Sequence, residues 1–540
     1  MLNRIRKLPG FAAFQAPTSI YELQNIAAQF GGPLVYAAAT QHGTLILFVE
    51  AQGVRGVWTG LTNTRLSELL VRKRKDGRWT GFLPTQLGLG DILENSLREL
   101  LPVLEDQLVA PLREQLLRLS YKRVGLVLTG KLSLLPVSAC PLDDVCVHLQ
   151  VNGRSLSSAE DEARRRLGVE TVLAVGNPLP SENPLPAAEL EAAMAAAHFS
   201  QPTLMAGTAV GAIRVIEGLQ SASHLHLACH GYLAAEDALQ SALHLGGPNQ
   251  LTVRDLLFGS SLPKSAKLAV LSACQSAVPD FARLPDEIIG LPVAFLQAGV
   301  PTVVGTLWPV ADYSTALVMD RFYQAYIRDR VAPAEALRSA PQWLRSVTAG
   351  ELETYFKAAR RKAGTELDVP YEAVSAAWRY FLAMPPDSTP FKSPVYWAPF
   401  VCYGSELLDR KRLKHARKPS FPPAKKIDSL AEPIPFCPRE RSEASLKCGR
   451  PEVATFNSMA IRSSISARPD DACQTLGNGD AKARQKSAAD FNLLNDPHIL
   501  RIWRLELGGT PPHGSPVRSR VDSIPTVHQN PLVPVQSGGG

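Results

Sequence analysis

Apolar runs of strand length alternate with amphipathic segments of helical periodicity through the middle of the chain. The strand-like runs lie at residues 124–129, 171–175, 223–229, 267–273 and 301–307. The helical segments lie at residues 91–119, 185–199, 208–219, 251–257, 286–298 and 311–327. Mostly apolar strands that alternate with helices are typical of a parallel sheet covered on both faces. The pattern therefore predicts an α/β fold with a mostly parallel sheet flanked by helices.

The two ends of this region have different patterns. Residues 1–85 are predicted to be a small β-rich segment, in which strands at 33–39 and 44–50 flank a Gln-His-Gly hairpin turn and 54–61 adds a third strand. Residues 328–385 are charged and helical, as expected for an insertion that packs on the main body. An aromatic run at 395–404 predicts a closing strand at a sheet edge.

Beyond Gly404 the periodicity stops, and Pro, Ser, Arg, Lys and Gly dominate. We expect residues 405–540 to be a disordered basic tail. The net charge of +7 comes entirely from this tail, which has 21 Lys and Arg against 14 Asp and Glu. A nucleic-acid-binding tail is the alternative, but no aromatic interleaving or known binding motif accompanies the charge. We therefore expect no specific nucleic acid partner.

Three features indicate a cytoplasmic protein. No run of eighteen apolar residues is present, so no membrane association is expected. The first residues contain basic side chains but no long apolar stretch of the kind found in secretory signals. The eight cysteines form no CxxC pair and no regular framework, which favours free thiols in a reducing compartment.

Two of the apolar runs end in a reactive side chain, His230 in one and Cys274 in the other. Parallel strands deliver the residues at their carboxyl ends into a shared crevice, so neighbouring strands would place the imidazole beside the thiol. A thiol needs such a base to become a nucleophile at neutral pH. The backbone amides of Gly231 and Cys274 are the candidate donors to the oxyanion of the transition state.

Two other interpretations of these residues exist. A lone His or Cys at the end of an apolar run is more often structural than catalytic, and Cys140, Cys146, Cys229 and Cys402 fit that description. His224 and His226 share a strand face with His230, because side chains alternate along a strand. Three such imidazoles could bind zinc, but their spacing is not that of a zinc site and no carboxylate accompanies them. We therefore expect no metal and no cofactor, with His226 packed in the core or supporting the site.

A set of motifs in a fixed order resembles the CHAT domain family of caspase-like peptidases. The motifs are His226–Gly231, Val270–Ser276, Asp286–Leu291, Ala294–Gly299, Val303–Val310 with Asp312, and Tyr396–Phe400, preceded by Gly130–Pro136, Gly176–Pro178 and Leu185–Glu191. The resemblance covers residues 90–404. It implies a caspase–hemoglobinase fold and a cysteine endopeptidase with His230 and Cys274 as the catalytic dyad, acting on a protein or peptide substrate.

The resemblance leaves substrate preference and regulation open. In metacaspase-like relatives an acidic residue two positions before the cysteine binds a basic substrate side chain, whereas Ser272 stands there in this chain. Asp286 and Asp312 could supply a negative pocket instead, although Asp286 also fits a helix N-terminus. The tetratricopeptide repeats common in the family are not visible. We expect the activity to be latent until an activating protein partner or proteolysis reorders the loops around 232–250 and 275–290. The alternative function is a catalytically silent interaction module that keeps the fold.

Overall fold

The computed structural model describes residues 18–74, 79–85, 90–140, 142, 145–166, 168–234, 237–259, 263–273, 290–309, 312–363 and 369–405. The strands are β1 Leu34–Ala39, β2 Thr44–Glu50, β3 Gly53–Thr59, β4 Arg72–Lys73, β5 Trp79–Thr80, β6 Arg123–Leu128, β7 Cys146–Leu149, β8 Thr171–Gly176, β9 Gln201–Ala206, β10 His224–Ala228, β11 Gly231–Tyr232, β12 Ala242–His244, β13 Gln250–Thr252, β14 Leu268–Ser272, β15 Thr302–Thr306 and β16 Phe400–Gly404.

Helices of very different length connect these strands. The helices are α1 Ile20–Phe30, α2 Asn63–Leu70, α3 Phe82–Thr85, α4 Gly90–Leu104, α5 Ala110–Arg118, α6 Gly153–Arg165, α7 Pro186–Ala196, α8 Ala212–Ser221, α9 Val253–Phe258, α10 Leu291–Gln297, α11 Asp312–Tyr323, α12 Pro333–Leu344, α13 Ala349–Lys362, α14 Tyr371–Leu382 and α15 Pro394–Trp397. None of these described helices combines the length and the apolar character that a membrane span requires.

One large sheet organises the described residues. Its strand order is β3-β2-β1-β6-β7-β16-β15-β14-β10-β8-β9. The pairs β3-β2, β2-β1 and β16-β15 are antiparallel, and the other neighbours in this order are parallel. The prediction of a mostly parallel sheet flanked by helices is therefore confirmed.

Helices cover both faces of the sheet, and the alternation of side chains along each strand separates two cores. On β14, Leu268 and Val270 pack against α7, α11 and the helices that follow α11. Ala269 and Leu271 point to the opposite face, which packs against α4, α5, α8, α9 and α10. A strand that is apolar at every position is required for this arrangement, because neither of its faces meets water.

The N-terminal strands extend this sheet. Strand β1 pairs in parallel with β6, and Leu34 lies beside Gly125. The side chain of Leu34 is fully buried, in a small cluster with Ile26 and Phe30 of α1 and Leu156 of α6. The three strands predicted near residues 33–39, 44–50 and 54–61 are confirmed as β1, β2 and β3.

The prediction for residues 395–404 is partly wrong. Only Phe400–Gly404 is a strand, whereas Pro394–Trp397 forms a short helical turn capped by Ser393. Strand β16 lies inside the sheet, antiparallel to β15 on one side and parallel to β7 on the other, and does not close an edge. The physical reason is that all five of its residues are buried, so neither face nor either edge of the strand is free for solvent.

The packing of Leu34 predicts that the N-terminal strands unfold together with the rest of the sheet. Leu34→Ala leaves a cavity between β1, β6 and α6, and large-to-small core substitutions of this kind cost about 2–5 kcal/mol. We expect the urea midpoint of the whole protein to fall accordingly, measured by tryptophan fluorescence.

Val54→Ala on β3 is the matched control for this measurement, because Val54 is 46% exposed and its truncation opens no buried cavity. An unchanged global midpoint for Leu34→Ala, with only a local loss of structure, would mean that the N-terminal strands are an independent unit.

Candidate active site

Strands β10 and β14 are direct neighbours, as the sequence predicts. They pair in parallel from His224 and Leu268 to Ala228 and Ser272. His230 is two residues past the last pair on one strand. Cys274 follows Ser272, the other member of that pair, by two residues in the sequence and lies outside the described residues.

A backbone carbonyl holds the His230 imidazole. Its Nε2 atom lies 2.5 Å from the carbonyl oxygen of Asn183. A carbonyl oxygen only accepts hydrogen bonds, so Nε2 carries the proton and donates. In the neutral ring the other nitrogen, Nδ1, then has the lone pair that can accept a proton. This contact selects the tautomer of the neutral ring in which Nδ1 is unprotonated.

Asn177 fixes the loop that carries the Asn183 carbonyl. Its backbone is in the left-handed region, with φ of 49°, and its N–H donates to the carbonyl of Ala228 over 3.0 Å. Its side-chain oxygen accepts from the N–H of Leu185 at 2.7 Å, and its side-chain nitrogen donates to Glu189 of α7 at 2.7 Å. Asn177 is therefore bonded to the end of β10, to the far end of the loop and to the next helix.

Gly231 presents its amide away from its partner strand. Gly231 on β11 lies opposite Leu243 on β12, and the His244 N–H donates to the His230 carbonyl over 2.9 Å. That bond makes Gly231 and Leu243 a pair that exchanges no hydrogen bonds, so the Gly231 N–H points away from β12. The amide is thus not used in the β11–β12 ladder.

A cleft of about 770 Å³ opens beside His230. Its walls come from the 177–185 loop, from His230 to Tyr232, and from the turn at 244–247. Glu182 supplies the one carboxylate among the described residues that line it. The cleft is large enough for a short stretch of polypeptide, since ligand pockets measure about 300–1,000 Å³.

Thr306 at the end of β15 supports the neighbouring strand. Its hydroxyl donates to the carbonyl of Ala273 over 2.7 Å, and the threonine side chain is buried. Ala273 is the residue immediately before Cys274. This bond therefore fixes the backbone at the position from which Cys274 continues.

The three predicted pocket residues are described to different extents. Ser272 is the last residue of β14 and is half-buried. Asp286 lies outside the described residues, and Asp312 is the first residue of α11, with no description of its side chain. Their role in substrate binding stays a prediction.

His224 and His226 lie in the core, away from the cleft. His224 Nε2 is 3.0 Å from the Tyr326 hydroxyl, and His226 Nδ1 is 3.3 Å from the Tyr323 hydroxyl. His226 Nε2 also lies 3.2 Å from Glu191 of α7. Both imidazoles are fully buried, which confirms the packed role predicted for His226. The described residues contain no cluster of three or more His, Cys, Asp or Glu side chains that could hold a metal ion.

Two contributors to the site were not predicted from the sequence, the Asn183 carbonyl and the Thr306 hydroxyl. A backbone carbonyl has no signature of its own in a sequence, since any residue supplies one. Thr306 lies within a motif of the resemblance, and its position at the end of a predicted strand beside the Cys274 strand was the available signal.

The CHAT domain profile matches residues 98–405, which is more than half of the 540 residues. The chain therefore belongs to the CHAT domain family. No curated protein matches it.

Solved structures resemble the chain only distantly. Separase in the Saccharomyces cerevisiae separase–securin complex aligns at 10% identity over 52% of this chain and 16% of its own, with a TM-score of 0.30. The Arg-specific cysteine proteinase gingipain R aligns at 10% identity over 59% of this chain and 68% of its own, with a TM-score of 0.31. The complex of the Porphyromonas gingivalis RgpB pro- and mature domains aligns at 10% identity over 58% of this chain and 70% of its own, with a TM-score of 0.31. This chain thus spans about a sixth of separase.

The Thr306 bond predicts an effect on the reactivity of Cys274. Thr306→Val keeps the shape of the side chain and removes the donor to Ala273, so the backbone before Cys274 loses one fixed contact and a buried carbonyl loses its partner. We expect slower alkylation of Cys274 by a peptidyl electrophile, by about tenfold, measured by mass spectrometry of the labelled peptide.

Thr302→Val is the matched control, since Thr302 is also buried on β15 but donates to Ser405 at the opposite end of the strand. Equal labelling rates in the two variants would contradict a specific role for Thr306.

Proposed function

We propose that this CHAT domain is a cysteine endopeptidase in which His230 and Cys274 form the catalytic dyad. The observation that carries the proposal is the hydrogen bond from His230 Nε2 to the Asn183 carbonyl. It leaves Nδ1 as the proton acceptor on an imidazole whose orientation is fixed at the end of β10. A general base has to be held in this way before it can serve a nucleophile.

The strand register supports the placement of the nucleophile. Side chains two residues apart on a strand share a face, and the paired positions Ala228 and Ser272 are each followed two residues later by a member of the dyad. If the chain continues past β14 in the same sense, Cys274 and His230 face one another across the strand pair.

The chemistry follows from this arrangement. Nδ1 of His230 takes the thiol proton of Cys274, and the sulfur attacks the scissile carbonyl carbon. The tetrahedral oxyanion accepts hydrogen bonds from the amides of Gly231 and Cys274. When the carbon–nitrogen bond breaks, the imidazolium returns its proton to the leaving amine. Water then attacks the thioester, His230 takes a proton from that water, and the thiol is regenerated with release of the acid.

The alternative is a CHAT domain that binds a protein without cleaving it. Both dyad residues are present in the sequence, and the base is held in a productive tautomer, which favours the enzyme.

Regulation by a protein partner is part of the proposal. The substrate cleft is bounded by the loop at 177–185 and the turn at 244–247, and a partner that moves either segment changes access to His230. A reducing, cytoplasmic location is proposed with it, because the thiol has to stay reduced to act as a nucleophile. Cys140, Cys146, Cys229 and Cys402 form no disulfide.

A search for new protein N-termini tests the proposed activity. Cells that express the wild-type chain under conditions that activate it should contain cleaved proteins. These proteins should be missing when Cys274→Ala is expressed at the same level. His230→Ala should lose the same cleavages, because the thiol then lacks its base. N-terminal labelling followed by mass spectrometry provides the measurement.

Cys402→Ala is the matched control, since it removes a buried thiol from β16 without touching the cleft. The proposal would be wrong if every cleavage persisted in Cys274→Ala.

A further inference from the structure

An apolar groove of about 790 Å³ lies next to the cleft that contains His230. One wall is the first turns of α7, which contribute Pro186 and Leu190, and Tyr313 at the start of α11 lies beside them. The other wall is α14, with Tyr380, and the segment that follows it as far as Tyr396.

The groove and the cleft have neighbouring residues of the chain in their walls. Leu185 lines the cleft and Pro186, the next residue, lines the groove. Helix α7 follows the loop after β8, and α11 follows β15, so both begin at the carboxyl edge of the parallel strands, where His230 also lies. The cleft and the groove therefore lie at the same edge of the sheet.

The groove is lined mostly by apolar and aromatic side chains. None of the described side chains that line it carries a charge, in contrast to the cleft with Glu182. Its walls are aromatic, with the Tyr313 and Tyr380 rings 5.1 Å apart and the Phe391 and Tyr396 rings 5.3 Å apart. Tyr380 is 46% exposed, so part of a ring is open to the solvent in the groove. Such walls gain from covering apolar surface, and the polar groups among the described lining residues are the hydroxyls of the tyrosines and of Ser388.

We propose that this groove binds a large apolar side chain of the peptide substrate, such as Phe, Leu or Met, and makes that residue a determinant of cleavage. The inference rests on the proposed function, because it assigns the scissile bond to the cleft at His230. An extended peptide advances about 3.3–3.6 Å per residue, so a chain lying in the cleft reaches the groove within a few residues of the scissile bond.

The chain's own C-terminal tail begins at the other edge of the sheet. Strand β16 is antiparallel to β15, and Gly404 pairs with Thr302 at the start of β15. The tail therefore leaves the described fold at Ser405, on the amino edge of the parallel strands, opposite the edge that carries the groove. A substrate that already lies in the cleft reaches the groove directly.

Binding to a peptide library tests the groove separately from catalysis. Full-length Cys274→Ala is incubated with immobilised peptides in which each position in turn is fixed as Phe, Leu, Asp or Lys and the others are mixed. We expect retention about tenfold higher for Phe or Leu than for Asp or Lys at one fixed position, from the transfer of one apolar side chain. Tyr380→Ala in the same background should abolish this preference.

Leu382→Ala is the matched control, because Leu382 is 54% exposed at the end of the same helix and does not line the groove. Retained peptides are then offered to the wild-type chain. An apolar preference that depends on Tyr380 supports the groove whether or not these peptides are cleaved, and a lack of cleavage counts against the peptidase alone.

The remaining outcomes overturn the inference. Cleavage with no apolar preference, or a preference that survives in Tyr380→Ala, removes the groove as a specificity site and leaves the peptidase intact. Neither binding preference nor cleavage contradicts both proposals. Loss of the preference in Leu382→Ala as well as in Tyr380→Ala would mean that any change at the end of α14 removes it. The preference would then not come from contact with the groove.

Discussion

The hydrogen bond between His230 Nε2 and the Asn183 carbonyl is the interaction on which the candidate site depends. An imidazole near neutral pH can be a base at either nitrogen, and only the position of its proton decides which. A backbone carbonyl fixes the proton on Nε2, because it only accepts hydrogen bonds. Unlike a carboxylate, it is neutral and does not take up the proton itself. The carbonyl can do this only if its loop is fixed, and Asn177 ties that loop to the end of β10, to Leu185 and to Glu189.

The large sheet supplies the second requirement, which is a rigid edge. Strands β10 and β14 are buried on both faces and lie between β8 and β15, so their carboxyl ends are held from both sides. Thr306 extends this support to the residue before Cys274. The N-terminal strands and β16 complete the sheet far from the cleft, and their burial stabilises the frame without entering the chemistry.

Much of this arrangement could be predicted from the order of apolar runs. The strands before His230 and Cys274 are rich in apolar residues on both faces, a pattern typical of a central place in a parallel sheet. The residues Phe400–Gly404 are also suited to an interior strand, and all five are buried in the structure. The aromatic run that continues back to Val395 nevertheless predicts an edge strand. The helical turn at Pro394–Trp397 begins with Ser393 as a cap and a proline in its first turn, which is a local start signal for a helix.

Other features could not be predicted, because they depend on contacts between distant segments. Asn183 contributes only its carbonyl, and its position comes from a loop closed by an asparagine in a left-handed conformation. The apolar groove is assembled from α7, α11 and α14, and α7 precedes the other two helices by more than a hundred residues in the sequence. Helix α1 had a local signal, since Ser19 caps it through the Glu22 N–H, but its packing against α6 is a long-range contact.

The central claim is that His230 activates Cys274, and the rate at which a small electrophile alkylates this one thiol tests it most directly. Iodoacetamide needs no substrate-binding groove, so it reports on the thiolate alone. The account predicts that at pH 7 the alkylation of Cys274 is at least about tenfold slower in His230→Ala than in the wild type, whereas His42→Ala, in the exposed turn between β1 and β2, leaves it unchanged. Equal rates in the wild type and His230→Ala would contradict it.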